Sequence, residues 1–199
     1  MISFVHWLVV ISAFISIAGA WIYVRDTLSG KTKPNRVSWL MWAIAPILST
    51  VVAISADADL WATARVFFSG FIPFVILLAS FYNPQGYWKL TFFDIACGVF
   101  SAIAVVVWLA AGSSDLAILF LLVGDGLACL PTIRKAWQYP ETETGTPFIA
   151  GLIGALLVLP SIPMWNIENS AFQIYLLVAN ATLVIAVYRK KIIPTFLGM

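Results

Sequence analysis

Apolar residues gather in seven runs, and short polar stretches separate them. The runs cover about residues 4–24, 37–55, 60–82, 88–111, 115–137, 146–165 and 170–188. A membrane-spanning helix takes about 20 mostly apolar residues, so each run has a suitable length. None shows the strict alternation of a half-buried strand, and helices satisfy their own backbone in lipid. The linkers carry turn formers: Asn83-Pro84-Gln85-Gly86, Gly112 to Asp115, and Asn166 to Asn169. All are short, so consecutive helices are expected to be antiparallel neighbours. The fold class predicted is an all-α integral membrane protein of seven transmembrane helices.

Composition strengthens this reading. Of 199 residues, 62% are hydrophobic and 10% charged, against about 25% charged in a soluble domain. The net charge of +2 offers no case for nucleic acid. No basic segment precedes Trp7, so the first run is read as a spanning helix rather than a cleaved leader. Cys97 and Cys129 both fall within apolar runs and read as small core residues. His6 is the lone histidine. No metal, cofactor or catalytic set is therefore expected, and the chain is not read as an enzyme.

The basic residues choose an orientation. Arg25, Lys31, Lys33, Arg36, Lys89, Arg134, Lys135, Arg189, Lys190 and Lys191 all fall on one side of the predicted spans. The opposite loops carry Asp57, Asp59, Asp115 and Glu168. Arg65, early in the third run, is placed to snorkel towards those acids. The expectation is an outside N-terminus and a cytoplasmic C-terminus in a cell membrane, taken as a bacterial inner membrane from the short loops. The basic loop 30–36 is expected to contact anionic lipid of the bilayer.

Setting Arg25 on Arg134 shifts the chain by 109 residues and lays the first three runs on the last three. Each copy then has a span, an arginine exit, a polar loop, and an aromatic residue opening the next span: Trp39 in one, Phe148 in the other. The fourth run is left alone, and an odd linker lets both triplets keep one orientation. The predicted domains are residues 1–82 as the first three-helix repeat, 83–112 as the linker helix, and 113–199 as the second repeat with a short basic tail.

This layout resembles the PQ-loop family, which includes the SWEET sugar transporters and the KDEL-receptor relatives. Leu130-Pro131-Thr132-Ile133-Arg134-Lys135 is similar to the family's Pro-Gln-Ile-x-Lys turn, with Thr132 in place of the glutamine. The first repeat has Ile22-Tyr23 where Pro-Gln would stand. The resemblance implies two parallel three-helix bundles joined by a linker helix, and a small-molecule solute carried between them.

Candidate residues follow. Asp125 falls near the middle of the fifth run, where a charged Asp costs roughly 2.5–3.5 kcal/mol. It is expected to face the bundle interior and to bind a proton or a cationic group, or else to be a hydrogen-bonded structural Asp. Asn180, mid-way along the seventh run, offers an amide to a solute or to a neighbouring helix. The family resemblance implies a pocket role for it. Trp39 fits an interfacial belt or a substrate contact, and Trp42, one turn deeper, a stacking wall. Pro46, Pro131 and Pro160 interrupt their runs and are candidate hinges. Asp94 is expected to pair with Lys89 or meet the interface. The function expected is small-solute transport by alternating access, with proton coupling through Asp125. The alternative is a non-transporting receptor or adaptor on the same scaffold.

Overall fold

The computed structural model describes residues 4–55, 60–110, 114–162 and 164–197. Among the described residues there are seven α-helices and no strand. They are α1 (Phe4–Leu28), α2 (Arg36–Ser55), α3 (Leu60–Tyr82), α4 (Phe92–Ala110), α5 (Ser114–Gln138), α6 (Thr146–Val158) and α7 (Ile167–Leu197). Short 3-10 turns occupy Pro84–Gly86, Pro140–Thr142 and Leu159–Ser161. Among the described residues, three stretches are long and apolar enough to cross a membrane: Val10–Leu28, Phe92–Ala110 and Ser170–Ile192. Asp57, Asp59 and Pro163 lie outside the described residues, as do the side chains of Arg65, Asp115 and Glu168.

Several ends differ from the sequence expectation, each for a local reason. α1 runs on past Val24, so Arg25 and Asp26 are helical. It stops where Gly30 takes φ +78°, a left-handed conformation that ends helices. α4 starts at Phe92 rather than Trp88, because Thr91 caps it. The Asp94 amide donates to Thr91 Oγ1, and Asp94 Oδ2 accepts from the Thr91 amide at 2.7 Å. This reciprocal pair is a capping box. Asp94 is thus occupied at the cap, not paired with Lys89 as expected.

α6 ends at Val158, well short of residue 165. Pro160 lacks an amide proton and cannot bond the Leu156 carbonyl, so the Leu159 amide bonds it instead in a tighter turn. Pro160 therefore lies just past the end of α6, not inside the helix as the length of the apolar run suggested. Pro46 and Pro131 do lie inside α2 and α5. α7 continues through Leu197, so Arg189, Lys190 and Lys191 are helical rather than a loose tail.

Helix packing has a regular pattern. α3 packs on both α1 and α2, and α7 packs on both α5 and α6. Between these groups α1 lies along α6, and α2 along α5. α4 packs mainly on α5 and also touches α2. The α1–α6 contact is close because Gly19 has no side chain: a Cβ there would stand 2.7 Å from Ala150 Cβ. The outward face is apolar. Phe14, Phe81, Phe92, Val106 and Val178 are each more than half exposed. The α1–α2, α3–α4 and α5–α6 connections meet at one end, called the basic end below. There Asn83 Nδ2 donates to the Leu28 carbonyl, and the Lys33 amide to the Thr142 carbonyl.

Candidate functional site

The two polar loops that look alike in sequence touch in space. Loop 29–35, after α1, lies against loop 139–145, after α5. The pivot is Lys135, on the last turn of α5. Its ammonium donates to Glu143 Oε2 at 2.6 Å, to the Thr142 carbonyl at 3.0 Å and to the Lys33 carbonyl. Both side chains of the pair are sealed from solvent, at 1% and 0% exposure. The other carboxylate oxygen, Glu143 Oε1, accepts from Tyr23 Oη on α1 at 2.5 Å. Tyr23 Oη in turn accepts from Trp39 Nε1 on α2 at 3.2 Å. An ion pair can be buried only when its remaining donors and acceptors are also met, and here they are.

A second link runs beside the first. Asp26, near the end of α1, accepts from Thr144 Oγ1 at 2.9 Å and from Lys31 Nζ at 2.7 Å. Thr144 also bonds Thr32. Under the 109-residue shift Asp26 falls on Lys135. Each of these two residues reaches the loop that follows the other's helix. Their opposite charges let them hold the loops by different partners. An open groove of about 480 Å³ adjoins this cluster, lined in part by Arg25, Asp26, Lys31, Glu143, Tyr188 and Lys190.

Of the residues singled out from sequence, Trp39 and Trp42 come together. Their rings meet edge to face with centroids 5.1 Å apart. Trp39 is only 4% exposed, which removes the interfacial-belt reading for it. It packs on Tyr23 at 4.9 Å and stacks on Phe148 at 6.4 Å with an interplanar angle of 21°. Trp39 and Phe148 are equivalent under the shift, so matching positions of the two sequence halves face each other. Trp42 is half-buried between two apolar clusters, one holding Trp39, Cys129 and Leu183, the other Met41, Val105 and Ala128.

Asp125 lies deeper along α5. Tyr175 of α7 donates to its Oδ2 at 2.6 Å. Of the glycines on either side, Gly124 lets a neighbour close in, while Gly126 has ordinary room. A Cβ on Gly124 would stand 3.3 Å from Ala104 on α4, and one on Gly126 would stand 3.8 Å from the Tyr175 ring. Asn180 is held locally. Its Nδ2 donates to the Leu176 carbonyl at 2.8 Å, and its amide covers Gly151 on α6. None of Asp125, Asn180, Trp39 and Trp42 lines the open groove. Pro131 is fully buried in α5, one turn before the Lys135 cluster.

The loop-end cluster was not singled out from sequence. Lys135 counted there as an orientation signal, yet it is 2% exposed. One signal was available: Asp26, Glu141 and Glu143 are acids among the basic loops, where a pairing partner is at hand. No family model, curated protein or solved structure matches this chain.

Proposed function

We propose that this chain is a small-solute membrane transporter working by alternating access, a divergent relative of the PQ-loop transporters. α1–α3 and α5–α7 form its two three-helix bundles, with α4 as the linker. All seven helices lie in the bilayer, the basic end in the cytoplasm. The apolar outer face and the three span-length helices favour a lipid environment. The packing pattern supports the bundles: α3 bridges α1 and α2 as α7 bridges α5 and α6.

The observation that carries the reading is the closure at the basic end. Lys135, Glu143, Tyr23, Asp26 and Thr144 tie one sequence half to the other through buried side chains rather than exposed contacts. A transporter that opens alternately must close its pathway reversibly at one end, and a polar clamp between halves does this. Asp125, bonded to Tyr175 in the interior, is the group that binds a proton or the cationic part of the solute. Trp42 and Asn180 are the further contacts proposed for the solute. Pro131 and Pro46 supply the bending points.

The test is uptake by the full chain in liposomes. Candidate sugars, amino acids, nucleosides and vitamin precursors are first screened by thermal shift, since a ligand bound to the native state raises the melting temperature. Uptake that varies with pH in the native chain and loses that variation in Asp125→Asn supports the assignment. Unchanged uptake and unchanged pH response in the variant remove Asp125 from the coupling role. Saturable binding with no flux replaces transport by a receptor or adaptor role.

A further inference from the structure

Among the described residues, four buried polar atoms at the basic end have no hydrogen-bond partner: Asn35 Nδ2, Ser38 Oγ, Thr132 Oγ1 and Trp88 Nε1. Asn35, Ser38 and Thr132 are each 0% exposed. Buried polar atoms are paired in more than about 90% of cases, so four together at one end call for a partner.

Helix directions bring them to one level. α2 leaves the basic end and α5 arrives there, so the two are antiparallel. Met41 and Ala45 on α2 share a core cluster with Ala128 on α5 and Val105 on α4. Ser38 lies one turn before Met41, and Thr132 one turn after Ala128, both towards the basic end. Val37 packs against Gly98 of α4, which brings the first turn of α2 onto that helix as well. Lys135, three residues beyond Thr132, closes the top. Its ammonium bonds the Lys33 carbonyl, two residues before Asn35, and lies 5.4 Å from the Trp88 ring centre.

We propose that the junction of α2, α4 and α5 is a sealed hydration site, holding ordered water between Ser38 and Thr132 and within reach of Asn35 and Trp88. The donor set suits water. Asn35 Nδ2 and Trp88 Nε1 only donate, the two hydroxyls donate or accept, and water does both. An ordered internal water makes about three such bonds. The neighbouring carboxylates Glu143 and Asp94 disfavour an anion. The site stands apart from the Asp125–Tyr175 pair and does not depend on the chain being a transporter. Under the transport reading it has a mechanical consequence: polar atoms bonded to water exchange one water for another when α2 and α5 separate, so the seam parts without baring unpaired groups.

The test is a sign. Thr132→Val keeps the side-chain shape and deletes the hydroxyl. Replacing a hydroxyl that truly lacks a partner by a methyl group is neutral or stabilising, whereas deleting one that holds water strips bonds from the site. The full chain in detergent is compared with Thr132→Val, Ser38→Ala and the double variant by thermal unfolding. Each single variant is expected to lower the apparent melting temperature by roughly 2–4 °C. The double variant is expected to fall short of the sum, because both hydroxyls bind the same water. An unchanged or raised melting temperature in either single variant, or strict additivity in the double, overturns the proposal. If Thr132→Val does not yield folded protein, the smaller change Ser38→Ala together with Trp88→Phe carries the same comparison.

Discussion

Lys135 Nζ lies 2.6 Å from Glu143 Oε2, with both side chains shut away from solvent. Removing one member leaves an uncompensated buried charge. Lys135→Met is therefore expected to cost ~3–5 kcal/mol of stability, while the double variant Lys135→Met, Glu143→Leu recovers part of that loss. Recovery is incomplete, because the ammonium also serves the Lys33 and Thr142 carbonyls. Unfolding of the single and double variants in detergent checks this. A single variant as stable as the native chain would contradict the buried pair.

Tyr23 sits between Glu143 and Trp39, donating to one and accepting from the other. Tyr23→Phe removes both bonds and leaves a buried carboxylate oxygen one donor short. Hydrogen bonds to charged groups contribute about 1.5–3 kcal/mol, and a loss in that range is expected. Trp39→Phe deletes only the neutral bond and part of the aromatic packing, so Glu143 keeps its partners. Comparing the two by denaturant unfolding separates the clamp from the ring cluster. A Tyr23→Phe variant as stable as the native chain would show that Glu143 gains nothing from the phenol.

Two glycines predict opposite signs. At Gly19 a methyl group would stand 2.7 Å from Ala150 Cβ and 2.9 Å from the Thr146 carbonyl, so α1 and α6 must separate. Gly19→Ala is expected to destabilise by about 1–3 kcal/mol. At Gly126 the nearest atom is 3.8 Å away, ordinary contact distance. Gly126→Ala is expected to stabilise by roughly 0.5–1 kcal/mol through reduced chain entropy. Thermal unfolding of both variants is the measurement, and the opposite order of stabilities is the failing result.

Thr91→Ala removes one half of the cap on α4. The expected cost is about 0.5–2 kcal/mol. Asp94→Asn keeps an acceptor for the Thr91 amide and should cost less than Asp94→Ala. Hydrogen exchange at the first amides of α4 reads the local effect directly: faster exchange confined to that turn is the expected outcome, and unaltered protection contradicts the capping box.

The helices were legible because each feature that forms them is local. Apolar runs placed all seven, and α3 begins and ends where its run does. The errors were at ends decided by one residue. Thr91 with Asp94 starts α4 later than its hydrophobicity suggests, and Pro160 stops α6 early. Both signals are in the sequence, but uniform apolarity gives no reason to cut a run there. The site was legible only in part. Asp125 stands out as a carboxylate in an apolar run, and its partner Tyr175 does not, being fifty residues away on another helix. Lys135 misled, since a lysine among other basic residues ordinarily stays in solvent.

By itself the sequence determined seven helical segments, the loops between them and the gathering of basic residues near one set of helix ends, since these depend on neighbours along the chain. Only the tertiary structure decided which polar groups are buried. Burial of Lys135 requires Glu143, Tyr23 and the Lys33 carbonyl to converge from two loops and two helices, and no single segment carries enough partners to offset the loss of hydration. The stacking of Trp39 on Phe148 has the same origin. Each is an aromatic residue at the start of a helix, and their contact exists because α1 with α6, and α2 with α5, bring the two sequence halves together.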